Sequence, residues 1–263
     1  MPSSRLGMLG MLAALPALAQ VSNGSITTET KAQMTPRQHA PMRFRNVRSD
    51  GTLESDNWSG YAVTGTSFTH VRGTWTVPAV NCGLTPNTYS SFWLGLDGLT
   101  SSTVEQIGTD SDCNGTMPSY YAWYEFAPNA GILIDSVSVS PGDEMSASVG
   151  YSGGQFTLTI TNENTGQTYS QTQRFSGAKR SSAEWIAEAP CCAGNGGALP
   201  LSDFAIVFFG TSHSTDASTS GPISSFGRKV LEITMAGSTG EDEAVASPLG
   251  SGGTNFTVTW RSE

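Results

Sequence analysis

Charged residues are scarce in this sequence. They make up 13% of its 263 residues, and the 22 Asp and Glu outnumber the 13 Lys and Arg. Helical cytosolic proteins cover their solvated faces with Glu and Lys, so this composition, with 30 glycines, favours an all-β protein. The acidic balance also argues against a nucleic-acid partner, because phosphate binding requires clustered Lys and Arg.

Several catalytic signatures are missing as well. Cys-x-x-Cys and His-x-x-x-His spacings are absent, which disfavours a zinc site, and neither a metal nor an organic cofactor is expected. Beyond residue 50, only His70 and His213 could serve as a base for a serine nucleophile. Ser212 adjoins His213 in sequence, but such neighbours do not orient a base onto a nucleophile. Paired Asp-Thr-Gly or Asp-Ser-Gly loops, which an aspartic peptidase needs, are absent too.

Long hydrophobic runs are also absent. The longest apolar stretch, Leu6 to Ala19, is shorter than the roughly 20 residues of a membrane-spanning helix, and Pro16 interrupts it. It follows Arg5 and ends in Ala17-Leu18-Ala19, which is similar to a signal-peptidase site. Residues 1–19 are therefore predicted to be a signal peptide, and the protein is expected to be secreted, with no membrane partner.

Charge divides the rest of the chain. Residues 20–50 carry five Lys or Arg against two acidic residues, a net charge of +3, whereas residues 51–263 carry seven against 20, a net charge of −13. This pattern predicts a removable basic pro-segment at residues 20–52 before a single domain at residues 53–263, expected to be a monomer. The alternative is a leader without a function.

Four cysteines fit an oxidising compartment and allow three pairings. We favour a bond between Cys82 and Cys113. Cys191 and Cys192 are adjacent, so they either form a vicinal disulfide or pair outward.

Strand patterns dominate the domain. Phe156–Ile160 alternates apolar and polar residues, and after a turn residues 167–175 continue as a second strand, which predicts a hairpin. Residues 205–209 form a continuous apolar run, which predicts a strand buried on both faces. Gly-rich turn signals recur between such segments. The expected fold is an all-β sandwich.

Five short blocks of sequence occur in one order along this domain. They are Asn57-Trp-Ser-Gly60, Ser91-Phe-Trp-Leu-Gly-Leu-Asp-Gly98, Val104-Glu-Gln-Ile-Gly108, Ala122-Trp-Tyr-Glu-Phe126 and Ser181-Ser-Ala-Glu-Trp-Ile-Ala-Glu-Ala189. Together they resemble the glutamic peptidases (the eqolisin family), acid-acting endopeptidases that pair one glutamate with one glutamine. The resemblance covers residues 55–260, approximately. It implies two large antiparallel sheets with a concave cleft, and protein or peptide substrates.

By this resemblance, Gln106 and Glu184 are the catalytic pair. A glutamate can take a proton from water and later return it to the leaving amine, and an unperturbed Glu titrates at about 4.3, which suits an acidic medium. A glutamine amide can donate to the oxyanion at any pH. The local pattern from Ser181 to Glu184 is a capping box that favours a helix, whereas the resemblance implies a strand with Glu184 and Glu188 on one face. We follow the resemblance.

The resemblance also suggests substrate-binding residues, namely Trp58, Trp93, Trp123, Glu125, Asp97 and Asp110. For the tryptophans the alternative is core packing, and for the carboxylates it is a structural role. Two departures stand out. Tyr121 replaces an Asp that the family often has, which leaves the subsite preference open, and residues 99–103 lack the family's usual cysteine.

The sequence thus predicts a secreted, acid-acting glutamic endopeptidase that pepstatin does not inhibit. One rival is a glycoside hydrolase, since β-sandwiches with paired carboxylates cleave glycans, although no Glu-x-Asp-x-x-Glu strand occurs. The other is a non-catalytic sandwich that binds carbohydrate or a surface.

Overall fold

A computed structural model of the chain describes Met1, residues 36–192 and residues 196–262. The described residues from 36 onwards form one compact unit. The predicted signal peptide lies outside the described residues, apart from Met1. No helix in the described ranges combines the length and apolarity needed to cross a bilayer.

Strands account for most of the regular structure, which confirms the all-β prediction. In chain order they are β1 Phe44–Val47, β2 Leu53–Ser55, β3 Trp58–Thr64, β4 His70–Thr76, β5 Ser91–Leu96, β6 Val104–Asn114, β7 Met117–Ala127, β8 Ile132–Ile134, β9 Glu144–Ser152, β10 Gln155–Asn162, β11 Gln167–Gln173, β12 Ser182–Glu188, β13 Ile206–Thr215, β14 Ser220–Pro222, β15 Val230–Ala236, β16 Asp242–Ala246 and β17 Phe256–Trp260, with a 3₁₀ helix at Ile223–Lys229 between β14 and β15.

The strands form two antiparallel sheets. One sheet has the order β15-β3-β12-β5-β6-β7-β8. The other has the order β11-β10-β9-β4-β13-β17-β16. A short β15–β16 pairing joins them, and β2 runs parallel to β15. The predicted sandwich of antiparallel sheets is therefore confirmed.

Side-chain alternation gives the first sheet two different faces. On β12, Ala183, Trp185 and Ala187 belong to the main core, whereas Ile186 belongs to a second apolar cluster with Trp93. Trp185 is fully buried and donates its Nε1–H to the carbonyl oxygen of Arg72 over 2.9 Å. Its truncation to Ala would cost about 3–5 kcal/mol of stability. The face that carries the second cluster is called the cleft face below.

Three local predictions can be compared with the structure. The hairpin is confirmed as β10 and β11, and residues 182–188 form a strand rather than a helix. The prediction for residues 205–209 was wrong in part, because Ile206 and Phe208 are 53% and 44% exposed while Val207 and Phe209 are buried. The apolar run therefore has one face towards solvent.

Both disulfides lie within the described residues. Cys82 bonds to Cys113 with a Cα–Cα distance of 5.3 Å, as predicted, and joins the segment before β5 to the end of β6. Cys191 bonds to Cys192 just after β12, which decides between the two alternatives for that pair.

Candidate active site

Gln106 and Glu184 lie on either side of one glycine. Gly95 on β5 is paired with Gln106 on β6 and with Glu184 on β12, so both side chains project from the cleft face. Neighbouring strands are about 4.8 Å apart, which separates the two Cα atoms by roughly 10 Å. A Cβ atom on Gly95 would stand 3.1 Å from the Cβ of Gln106. The glycine therefore leaves open the space between the amide and the carboxyl group.

Both side chains are fully buried. None of their amide or carboxyl atoms meets hydrogen-bond geometry with a described residue. Burial raises the pKa of Glu184 well above its usual range, the Ser182 hydroxyl opposes the rise, and the carboxylates of Asp97 and Glu105 add to it. Burial therefore favours the neutral form of this carboxyl group.

A second group of polar side chains adjoins this pair. Glu125 on β7 is paired with Gln106, and Asp110 lies on the same face of β6. Asp110 accepts hydrogen bonds from Ser91 Oγ (2.5 Å), Trp123 Nε1 (2.6 Å) and the Tyr121 hydroxyl (2.7 Å). The structure thus brings Trp123, Glu125 and Asp110 together beside the predicted pair. Tyr121, the departure from the family pattern, is one of the donors.

Trp58 and Trp93 also lie on the cleft face and are fully buried. Their rings meet edge to face at 4.9 Å. Trp93 donates to Glu188 Oε2 over 2.7 Å. Burial raises the pKa of Glu188 to about 8, although the nearby imidazole of His39 opposes the rise. In this structure the two tryptophans pack in the second cluster on the cleft face, and their substrate contact stays a prediction.

Asp97 occupies a different position. Its backbone is left-handed (φ 71°). Its two carboxylate oxygens accept the backbone N–H groups of Lys179, Arg180 and Ser181 over 2.6–2.9 Å, and also the Ser181 hydroxyl. Asp97 therefore fixes the loop that enters β12. It positions the strand of Glu184, a role distinct from the predicted substrate contact.

Residues 36–43, in the predicted pro-segment, lie across the cleft face with His39 at their centre. Its ring stacks on Trp123 at 3.5 Å between centroids, with 10° between the planes. Nδ1 and the backbone N–H both contact Glu125 Oε2, at 2.9 and 3.0 Å. Nε2 lies 2.9 Å from Ser91 Oγ and 3.3 Å from Asp110 Oδ1. Burial alone would lower the pKa of His39, but Asp110 and Glu125 raise it to about 10, so the ring is an imidazolium.

The residues on either side of His39 also contact the cleft. The Ala40 N–H donates to Glu188 Oε1 over 3.1 Å, and the Ala40 carbonyl accepts from Trp58 Nε1 over 3.1 Å. Arg37 pairs with Asp112 at 3.3 Å and covers the ring of Tyr89 at 4.0 Å. The sequence analysis did not identify His39 or Ala40 as functional residues. The net positive charge of the leader was the only signal in the sequence for a contact between the leader and the acidic cleft.

The spacing Gly150-Tyr-Ser-Gly-Gly154 matches the Gly-x-Ser-x-Gly of serine hydrolases. That motif requires a strand followed by a helix, whereas here a tight turn joins β9 to β10 and Ser152 is exposed. The spacing therefore has no catalytic meaning in this fold.

The fold is a β-sandwich with a carboxyl and an amide group on one face, and comparisons with known proteins identify its family. The model of the Peptidase A4 family matches residues 56–260. The chain therefore belongs to this family, the eqolisins, and is a peptide-bond hydrolase of the glutamic type.

Individual relatives support the same assignment. Aspergillopepsin-2 of Aspergillus niger is 29% identical over 288 residues, covering 96% of this chain and 98% of the relative. Scytalidopepsin B of Scytalidium lignicola is 30% identical over 171 residues, covering 63% and 64%. The crystal structure of scytalido-glutamic peptidase with a transition state analog inhibitor matches with a TM-score of 0.67 at 26% identity, covering 78% of this chain and 98% of that one.

Proposed function

We propose that this glutamic endopeptidase works through Glu184 and Gln106, in acid and outside the cell. Water that enters the cleft when the leader leaves reverses the burial that raises the pKa of Glu184, so the ionised carboxylate can take a proton from a water molecule, which then attacks the scissile carbonyl carbon. The Gln106 amide donates a hydrogen bond to the oxyanion, and one such donor is worth roughly 3–4 kcal/mol. Protonated Glu184 then gives its proton to the departing nitrogen. The observation that carries the proposal is the placement of both residues opposite Gly95 on the cleft face.

Substitutions at the pair test this mechanism. Glu184→Gln should abolish hydrolysis of casein at acid pH while the protein remains folded. Gln106→Ala should lower turnover by about two orders of magnitude or more. Gln106→Glu should fail as well, because it replaces a donor by a second carboxyl group. More than a tenth of wild-type activity in folded, purified Glu184→Gln protein would refute the assignment.

We also propose that residues 1–19 direct secretion and that residues 20–52 are a removable pro-segment. Support comes from His39 and Ala40, which hydrogen-bond to Glu125 and Glu188 in the cleft and so lie where a substrate would bind. Arg37 pairs with a cleft carboxylate. Arg45 and Arg48 instead pair with acidic residues near β1 and β2, and Arg43 donates to the Gly196 carbonyl. The inhibitory contact is thus assigned to residues 37–40.

Acidification protonates Asp112, whose pKa burial and the neighbouring Asp110 raise to about 7, and this weakens its ion pair with Arg37 and exposes the leader to cleavage. The test is to hold purified precursor at pH 3–4 and follow activity and chain mass over time. Arg37→Gln and His39→Gln should each raise activity near neutral pH, whereas Arg48→Gln is the matched control. A precursor that is fully active in acid with its leader intact would refute the switch.

A further inference from the structure

A groove of about 250 Å³ lies on the outer face of the sheet that contains β4, away from the cleft. Along β4, Val71 and Trp75 point into the main core, so alternation turns His70, Arg72 and Thr74 to the outer face. Most of the other side chains that line the groove carry a hydroxyl group, namely Ser146, Ser148, Thr159, Thr161 and Thr211. The groove therefore offers a ligand many hydrogen-bond donors.

Arg72 is an exposed cation in this groove. It is paired with Ser148 on β9 and with His213 on β13, and His70 precedes it by two residues on the same face of β4. Within the described part of the chain, the Arg72 guanidinium has neither a carboxylate nor a hydrogen-bond partner. Its planar set of N–H donors is therefore free to bind a tetrahedral anion through two oxygens at once.

The charge of the groove depends on pH through its two histidines. Burial and the neighbouring Arg72 lower the pKa of His70 and of His213. Both rings are therefore neutral at pH 7 and gain positive charge as pH falls. Opposing charge comes from Glu144, at the far end of β9, and from Glu163, which accepts a hydrogen bond from a serine of β9. Strands β10, β11, β13 and β17 add no charged side chain apart from His213. The groove is thus most cationic in acid.

An aromatic ring borders the groove. Phe208 on β13 is 44% exposed. A Cβ atom on Gly210 would stand 3.0 Å from Cε1 of Phe208 and 3.0 Å from Oγ1 of Thr74, so the glycine keeps the space between the ring and the hydroxyl open. One exposed apolar ring beside hydrogen-bond donors suits a sugar, which has both C–H and O–H groups. Single-stranded nucleic acids instead stack successive bases on several aromatic side chains.

More positive charge lies at the end of the sandwich where β4 begins. There the Arg180 guanidinium covers the ring of Tyr151 at 4.0 Å, and Lys229 pairs at 3.7 Å with Asp216, whose side chain is buried. Of the seven Lys and Arg beyond residue 50, six lie in the groove or in the loops at this end, namely Arg72, Arg174, Lys179, Arg180, Arg228 and Lys229. This concentration of charge suits a polymer that continues beyond the groove.

We infer that this groove binds a polysaccharide that carries sulfate or phosphate esters. One ester group contacts Arg72, a sugar ring lies against Phe208, and further esters along the polymer reach the basic end. The site is most cationic in acid, where a sugar carboxylate of ordinary pKa, about 4, loses its charge. A phosphate ester keeps a negative charge there, because only its second pKa, about 6, lies in this range. The site is separate from the proposed catalytic pair.

Binding to dextran sulfate and to phosphorylated dextran tests this inference. The full chain carrying Glu184→Gln, which prevents self-digestion, is titrated with each polymer by calorimetry at pH 5. Uncharged dextran and a thymidine oligonucleotide serve as comparison ligands. One or both of the ester polymers should bind at least ten times more tightly than either comparison ligand, and the tighter of the two identifies the ester. An oligonucleotide that binds as tightly as the ester polymers would overturn the assignment to a polysaccharide.

Substitutions in the groove locate the binding. Arg72→Gln should lower the affinity for the ester polymer at least tenfold. Phe208→Thr removes the ring without changing charge and should lower the affinity at least threefold. Arg261→Gln removes an exposed arginine outside the groove and is the matched control, with an affinity within twofold of the parent. The basic leader is common to all of these chains. An Arg72→Gln chain that binds like its parent would overturn the inference.

The pH dependence gives a second readout. Between pH 7 and pH 5 the affinity should rise at least fivefold in the parent, and by twofold or less in a chain with both His70→Gln and His213→Gln. Ordinary carboxylates stay largely ionised in this window, so the histidines cause the rise. A rise that survives both histidine substitutions would contradict this account. In the chain with Glu184 restored, the same groove substitutions should leave peptide hydrolysis unchanged, which separates the polysaccharide site from the peptidase proposal.

Discussion

Glu105 should make this protein less stable as pH rises, although it takes no part in the proposed chemistry. It precedes Gln106 on β6, and alternation turns its side chain away from the cleft face. The residue is fully buried, and neither of its carboxyl oxygens has a hydrogen-bond partner among the described residues. Burial, with a contribution from the Asp97 carboxylate, raises its pKa from 4.5 to about 9.

Stability falls as pH rises because the folded protein holds the Glu105 proton more tightly than the unfolded chain does. Between pH 4.5 and about 9, the folded protein keeps a proton on Glu105 that the unfolded chain has released. Each pH unit in that window therefore lowers the free energy of unfolding by about 1.4 kcal/mol. Glu105→Gln removes this proton linkage. Between pH 5.5 and 7.5 the variant should lose about 3 kcal/mol less stability than the wild type does.

Urea unfolding at several pH values measures this difference, with the Glu184→Gln background used for both proteins to prevent self-digestion. Glu144→Gln, at an exposed position on β9, is the matched control and should leave the slope unchanged. If Glu105→Gln has the same pH dependence as its parent, Glu105 is ionised in the folded protein and the reasoning is wrong.

Three further predictions concern activity. Gly95→Ala would place a methyl group 3.0 Å from the Glu105 carbonyl oxygen and 3.1 Å from the Gln106 Cβ. Because this crowds the Gln106 side chain, kcat should fall at least tenfold in casein or peptide assays, while circular dichroism shows an unchanged fold. Activity should decline as pH rises towards 7, because burial and the neighbouring Asp110 raise the pKa of Asp112 to about 7, so that this carboxyl group ionises there and the cleft gains negative charge. A pH–rate profile peaking above 7 would contradict this. Pepstatin should not inhibit, because the sequence has none of the Asp-Thr-Gly or Asp-Ser-Gly loops of an aspartic peptidase, and a dose–response curve at pH 3–4 checks it.

The strand that carries Glu184, β12, shows how much of the structure could be predicted from local sequence. The capping box from Ser181 to Glu184 favours a helix, yet residues 182–188 pair with β3 on one side and with β5 on the other. Backbone hydrogen bonds to two neighbouring strands outweigh a weak local preference. Periodicity predicted which residues would share a face, and the resemblance supplied the choice between strand and helix.

The contacts of His39 could not be predicted in that way. Its partners Ser91, Asp110 and Glu125 are 52, 71 and 86 residues away in sequence. Periodicity within a segment gives no information about contacts between the leader and strands so distant in sequence. The opposite net charges of the leader and the domain predict that the two attract each other, but they do not identify His39 as the contacting side chain. For Asp97, the resemblance predicted a place near the site but not the role. Only the structure, in which its carboxylate accepts backbone N–H groups of residues 179–181, shows that it positions β12.

The strands near the leader also restrict where the pro-segment can be cut. Because Asn57-Trp-Ser-Gly60 resembles the start of the mature family domain, the sequence predicts a junction between Arg48 and Asn57. β2 lies inside that region and pairs with β1, which lies just before it. Residues 49–51 are exposed in the turn between these strands, whereas Ser55 and Asn57 are buried. Proteases cleave exposed turns far more readily than paired strands. The new N-terminus after acid activation should therefore lie within residues 49–53, and β1 should depart with the leader. N-terminal sequencing of the activated enzyme measures this directly. A terminus at Asp56 or beyond would mean that β2 unfolds before cleavage, and it would refute the structural account of the junction.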